Sequence, residues 1–282
     1  MNKLKTIYNL ILYKLTINKY YISNILRKSI NINRTSRDKE IIVSLTTYPK
    51  RLSIVYLTIE SLMNQNIKAD KIILWLSKEE INEKTLPKEL IRLKKRWLKI
   101  FFVSENIKSY KKLIYSLEKY PNDIIITCDD DCLYPKSFIQ DLYNTYKKDN
   151  CIIAFRCSYM RKKDWILLPY LKWSKPKNRW PSFNLFPTGV WGILYPPNSL
   201  NKEVLNKKLF LKLSPFGDDI WFKSMSLLNK TKVSMVNKKS ITFPIINWSQ
   251  KSALWHKNIN RNENDKQIKN VFEYYNLYHL IN

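Results

Sequence analysis

The chain has 282 residues, 45% of them hydrophobic and 13% aromatic, a composition that excludes a disordered protein and permits a sizeable core. With 50 Lys and Arg against 23 Asp and Glu, the formal net charge is +27. Such a surface attracts polyanions (nucleic acid, anionic headgroups or diphosphates) and does not choose among them. Cys128, Cys132, Cys151 and Cys157 come with only two histidines and no CxxC pair, which argues against a zinc site and for free thiols in a reducing compartment. The N-terminus lacks the pattern of a secretory leader, and no run is apolar enough to span a bilayer, so the expected location is cytoplasmic.

Residues 1–39 read as a separate basic segment, with eight Lys/Arg and no acid in the first 37. Leu4, Ile7, Tyr8, Ile11, Leu12 and Leu15 recur at helical spacing and form one apolar stripe. A cationic helix of this kind either lies in an anionic membrane interface, peripheral to the inner face of the cytoplasmic membrane, or docks on the protein's own body or on a partner.

From residue 40 to 282 the pattern alternates between strands and helices. Ile41–Leu45 reads as a buried strand, followed by a helix carrying Val55, Ile59, Leu62 and Met63. Strands are expected at 71–76, 99–103 and 123–127, with helices at about 87–97, around Tyr110–Leu117, and after Pro135. The second half is less regular: a strand near 190–195, a helix from about Asp218 to Leu228, and a strand near 232–236. This succession predicts one α/β domain built on a largely parallel, covered sheet, with an N-terminal helical appendage.

The sharpest chemical feature is Asp129-Asp130-Asp131, which follows the apolar run Ile124–Ile126 and precedes Tyr134-Pro135. In open α/β sheets ligands bind at the carboxyl ends of strands, where this cluster would lie. Adjacent carboxylates raise one another's pKa unless a cation neutralises them, and carboxylate oxygens suit Mg2+ or Mn2+. The plainer alternative is an acidic turn capping the next helix. Thr46, Thr47, Tyr48 and Arg51 occupy the first strand-to-helix turn, where nucleotides usually sit. Lys108, Lys111 and Lys112 open the helix before the acidic strand, placed to meet a diphosphate or to form a solvated basic face.

The chain contains only three glycines, Gly189, Gly192 and Gly217, and all lie in Thr188–Gly192 or Phe216–Asp219. Glycine used so sparingly belongs where no side chain fits. Asp218 and Asp219 stand at a helix start, so one of them is expected to cap it. The aromatics Trp165, Tyr170, Trp173, Trp180, Phe183, Phe186 and Trp191 offer either sugar-stacking faces or core packing. His256 is a candidate further metal ligand or diphosphate donor.

An apolar strand ending in Asp-x-Asp resembles the DXD motif of GT-A (Rossmann-like) glycosyltransferases. The segments Ser44–Pro49, Lys108–Leu113, Thr188-Gly189-Val190, Tyr195-Pro196-Pro197 and Asp218–Phe222 resemble bacterial surface-polysaccharide and lipopolysaccharide transferases, from about Ile41 to Val236. Trp191 departs from the small residue frequent there. The resemblance implies a nucleotide-sugar donor, a UDP-sugar by preference, and a glycan or lipid-linked glycan acceptor. It implies hexosyl transfer with inversion, Asp131 on the metal, Asp129 facing the ribose or a metal-bound water, Gly189 in the pocket wall, and Asp219 as base with Asp218 in reserve. A basic nucleic-acid-binding protein or metal-dependent nuclease is the alternative, weakened by the lack of a nucleic-acid motif and by scattered lysines.

Overall fold

The computed structural model describes residues 2–27, 32–33, 36–236, 243–246 and 263–281, with side chains from residue 11 onward. Helix α1 (Asn2–Leu26) leads into the first strand β1 (Ile41–Thr46), then α2 (Val55–Met63), β2 (Lys71–Ser77), α3 (Lys88–Lys95), β3 (Leu98–Val103), α4 (Lys111–Lys119), β4 (Ile124–Cys128) and α5 (Phe138–Asp149). Beyond these the chain adds β5 (Ile152–Ala154), β6 (Cys157–Tyr159), β7 (Lys162–Lys163), β8 (Ile166–Leu167), β9 (Leu185–Pro187) and β10 (Ile193–Tyr195). It ends through α6 (Lys207–Leu213), α7 (Asp218–Leu228), β11 (Val233–Met235) and α8 (Glu263–Tyr274).

Seven strands form one sheet in the order β11-β5-β10-β4-β1-β2-β3. β3, β2, β1 and β4 are parallel, β10 runs antiparallel between β4 and β5, and β11 is parallel to β5. The expected mixed, mainly parallel sheet with flanking helices is therefore present. β6 with β9, and β7 with β8, make two further two-stranded antiparallel pairs.

Helices cover both faces, so the central strands are mostly apolar, with Ser44 of β1 and Thr127 of β4 as buried polar members. Alternation still operates within them: Ile41, Val43 and Leu45 enter one core, with Ile124 and Ile126, while Ile42, Ile73 and Ile125 enter the other. Two boundaries differ from the sequence expectation for backbone reasons. The strand expected from residue 190 begins at Ile193, because Trp191 (φ 74) and Gly192 (φ 88) form a left-handed turn first. The helix expected to reach residue 97 stops at Lys95, with Trp97 at φ 76. β5 to β9 are too short for a periodic signal, and α8 is legible only through Ile268, Val271 and Phe272 in a polar helix.

Helix α1 lies on α2 and α3 through Tyr13, Ile17, Tyr20 and Asn24. Beneath it Glu60 and Arg96, both almost fully buried, form an ion pair. Ser23 Oγ and Asn24 Nδ2 donate to the same carboxylate at 2.9 and 3.3 Å, so α1 completes its hydrogen bonding. Breaking a buried pair by removing one partner strands the other charge. Arg96→Met should accordingly cost about 3–5 kcal/mol, read as a lower urea midpoint with an unchanged slope.

Candidate active site

The sheet order reverses beside β1: the chain goes to β2 and β3 on one side and adds β4 on the other. Such a reversal leaves a crevice at the carboxyl ends of the strands. Leu45 of β1 is in register with Cys128 of β4, which sets the turn after β1 against Asp129–Asp131.

On the α2 side of this crevice, Arg51 closes the 3-10 turn Pro49–Arg51. Its guanidinium lies 2.6 Å from Asp130 Oδ1 and 3.0 Å from Asp131 Oδ2. Thr47 Oγ1 donates to Asp130 Oδ2 at 2.6 Å, and Thr58 Oγ1 donates to the Asp130 carbonyl at 3.0 Å. Burial still pushes the Asp130 carboxyl up, against Arg51 and Thr47. The Ile246 N–H donates to the Asp131 carbonyl at 2.8 Å and pins the acidic loop from its far side.

Lys112 occupies the other side. Its carbonyl accepts from Ser44 Oγ of β1 at 2.5 Å, fixing the first turn of α4 to the sheet. Its Nζ lies 3.4 Å from Asp129 Oδ1 and 3.3 Å from Asp218 Oδ2. The contact with Asp218 is an ion pair without hydrogen-bond alignment, so that oxygen keeps its lone pairs open. Burial opposes the Lys112 charge, but Asp218, Asp129 and Asp219 outweigh it and raise its pKa.

Gly189 joins the two halves. Its N–H donates to Asp219 Oδ2 at 2.9 Å. A Cβ there would fall 2.9 Å from Lys112 Nζ and 3.1 Å from Asp219 Oδ1. The lysine tip is flexible in general, but here it could yield only by leaving its carboxylates.

Five carboxylates thus gather around two cations, Arg51 and Lys112. The imbalance shows in the acids least well paired. Burial, opposed by Lys112 and reinforced by the neighbouring acids, lifts Asp129 to about 6. Burial and Asp218 lift Asp219 to about 7.

Ligand atoms of Asp129, Asp131 and Cys132 lie within 4.8 Å of one another. The two carboxylates fit Mg2+ or Mn2+; a thiol suits softer metals. Burial pushes the Cys132 thiol well up, and it donates to Asp131 Oδ1, so it is no ligand for a hard cation. The cluster is not the exposed surface patch that an acidic turn would be, since Asp130 and Asp131 are buried.

The remaining sequence candidates have partners of their own. Thr46 Oγ1 donates into β2, to the Trp75 carbonyl, at 2.8 Å. Tyr48 lies under Arg51, with 5.5 Å from the guanidinium carbon to the ring centre. Lys111 faces the opposite way, 2.7 Å from Asn106 Oδ1 and 3.7 Å from Glu80. Lys108 rests on the Phe216 ring at 4.0 Å. His256 lies outside the described residues. The expected capping role at α7 is not filled by either aspartate: Gly217 is the N-cap, and Asp218 and Asp219 turn to Lys112 and Gly189.

The aromatics divide. Tyr170, Trp173 and Phe186 pack on one another, while Trp165 and Trp180 are exposed. Trp191 stands against Phe243 and under Arg156, with its buried indole N–H unpartnered among the described residues. Arg156 carries no sequence signal and emerges only from this stacking. All four cysteines are free and buried.

No family model matches the chain, and no curated protein does. Among solved structures, S. aureus TarS 1–349 aligns at a TM-score of 0.48 with 15% identity, covering 71% of this chain and 59% of that one. The same TarS fragment in complex with UDP aligns at 0.48 with 14% identity, over the same shares of each chain. The mannosyltransferase PcManGT from Pyrobaculum calidifontis, in complex with GDP-Man and Mn2+, aligns at 0.46 with 12% identity over 81% of this chain and 64% of that one. The chain spans less than two thirds of the length of each of these proteins. CMP:2-keto-3-deoxy-manno-octonic acid synthetase with CTP aligns at 0.44 with 11% identity, covering 74% and 92%. Likenesses this distant carry no functional weight, which falls on the site itself.

The raised Asp219 carboxyl has a measurable stability signature. Folded, it keeps its proton to about pH 7; unfolded, it loses it near pH 4. Between these values the unfolded chain binds fewer protons, so stability falls as pH rises, and the full penalty stands above the folded pKa. Asp219→Asn removes that penalty. Its Tm should exceed the wild-type value at about pH 8, with the gap closing toward about pH 4. Thermal melts of both proteins across this range check the sign.

Proposed function

We propose that this chain is a metal-dependent glycosyltransferase of the GT-A type. It would move a sugar, a hexose by preference, from a nucleotide-sugar donor to a hydroxyl of a surface glycan or lipid-linked acceptor, with a UDP-sugar as the first donor to try. One observation carries the reading. A hard-cation carboxylate pair, Asp129 and Asp131, and a carboxyl poised near neutrality, Asp219, share one crevice, where Lys112 bridges Asp129 to Asp218, the neighbour of Asp219.

Asp129 and Asp131 would hold Mg2+ or Mn2+. When bound, such an ion neutralises the charge developing on a departing diphosphate. Asp130 does not compete for this task, because Arg51 and Thr47 take one carboxylate oxygen each; Arg51 also meets Asp131 Oδ2, so an ion there would share Asp131 with it. Lys112 sets Asp129 and Asp218 at a fixed separation and keeps its own charge within the crevice.

Asp219 is the base in this reading. A carboxylate with a pKa near the working pH combines availability with driving force for proton transfer. Gly189 holds one of its oxygens. The acceptor hydroxyl would give its proton to Asp219 as its oxygen bonds to the anomeric carbon and the bond to the diphosphate breaks. Attack opposite the leaving group inverts that carbon.

Two substitutions separate binding from chemistry. Asp131→Asn keeps size but removes a charged donor, and should lower Mn2+-dependent UDP affinity by about tenfold or more in calorimetry. Asp219→Asn should lower transfer about a hundredfold while UDP affinity stays near wild type, because a base acts in the transition state. Unchanged transfer in Asp219→Asn would remove the base assignment, and unchanged UDP binding in Asp131→Asn would remove the metal assignment.

A further inference from the structure

Helix α1 docks through one face and leaves another bare. Tyr13, Ile17, Tyr20 and Asn24 meet α2 and α3. On the opposite side Ile11, Leu15, Ile22 and Leu26 fall at i, i+4, i+11 and i+15, one line along the helix. They are 51%, 59%, 51% and 70% exposed. The stripe read from the sequence as a candidate for docking on the body thus points away from it at Ile11 and Leu15.

Beside this line lies an open cleft of about 270 Å³, lined by Lys19, Ile22, Ser23, Leu26, Arg27 and Asn64. Lys19 and Arg27 have no acidic partner among the described residues. Asn64, at the floor of the cleft, turns its buried side-chain amide to the Tyr20 hydroxyl. Glu60, the acid that acts on Tyr20, is taken by Arg96, Ser23 and Asn24. Further positive charge adjoins: burial first, then Arg27 and Lys136, lower the pKa of Lys68.

We propose that the outer face of α1 with this cleft is a binding site for anionic phospholipid at a bilayer surface. Lys19 and Arg27 receive a headgroup phosphate, and Ile22 and Leu26 at the rim meet the acyl region beside it. Two features choose this occupant. A second copy of the chain would bring the same excess of positive charge, net +27, to the same face. Nucleic acid would satisfy the cations but leave the apolar line in water. A phosphate attached to hydrocarbon satisfies both at once.

The test uses the full chain and vesicles of phosphatidylcholine alone or with about 30% phosphatidylglycerol. Wild type should float with the anionic vesicles and stay behind with the neutral ones. Leu15→Asp/Ile22→Asp should lower the bound fraction about tenfold or more, and Lys19→Ala/Arg27→Ala should lower it several-fold. All four altered side chains are exposed, so both variants should melt like wild type. Equal binding of the stripe variant would overturn the proposal and leave bulk charge as the only attraction. Equal binding to neutral vesicles would overturn it as well. So would full release by millimolar inorganic phosphate, which would make the cleft a site for the free ion. A wild-type dimer that Leu15→Asp/Ile22→Asp makes monomeric would assign the face to a second copy instead.

Discussion

Lys112 places one ammonium between carboxylates that the chain delivers from opposite ends of the sheet's connectivity. Asp129 arrives at the end of β4, and Asp218 arrives at the start of α7, about ninety residues later by chain position. Without a cation at that point, like charges would push these elements apart in a partly desolvated crevice. With it, the geometry of both is set by a group whose own backbone is tied to β1 through Ser44. The small side of this arrangement is Gly189, which lets a backbone N–H approach Asp219 where a Cβ would press on the lysine tip.

The two cations of the site hold their acids differently, and the difference assigns roles. Arg51 meets two carboxylates at short distance with its planar fork, and Thr47 adds a neutral donor, so Asp130 is fully engaged. Lys112 is longer in its contacts and serves as a point charge among three acids. The acids on the lysine side therefore carry the surplus negative charge, and for Asp129 and Asp219 it adds to burial in raising the carboxyl pKa. A site that is short of positive charge when empty of ligand is one that a cation or a proton can complete.

Much of the frame was legible in the sequence because it rests on long, doubly buried strands. Ile41–Leu45, apart from Ser44, and Ile124–Ile126 are apolar at every core position, and their carboxyl ends locate the crevice from the sequence alone. The triple aspartate announced the acids in the same way. What stayed hidden depends on side-chain direction. Lys111 and Lys112 are adjacent on one helix, yet one turns to Glu80 and the other to the aspartates, and composition cannot separate them. Asp218 and Asp219 looked like caps because of their place at a helix start; tertiary partners overrode that local preference. Short strands such as β5 and the stacking of Arg156 on Trp191 have no local signal at all.

The same logic of acids drawn inward shapes the outside of the molecule. Glu60, Asp70 and the five aspartates of the site spend their charge on partners within the fold. These seven acids are drawn inward with four cations, Arg37, Arg51, Arg96 and Lys112, and the excess leaves the exterior more positive than the composition alone conveys. Helix α1 takes part in both sides of this division. Its inner face supplies Ser23 and Asn24 to the buried Glu60, and its outer face adds apolar area to the cationic exterior. Cutting α1 away would confuse the two contributions, because a lost contact at the outer face would come with a carboxylate short of donors in the core. Substitutions confined to the exposed line leave the inner hydrogen bonds intact, and only they can separate what the helix does for the fold from what it does at a surface.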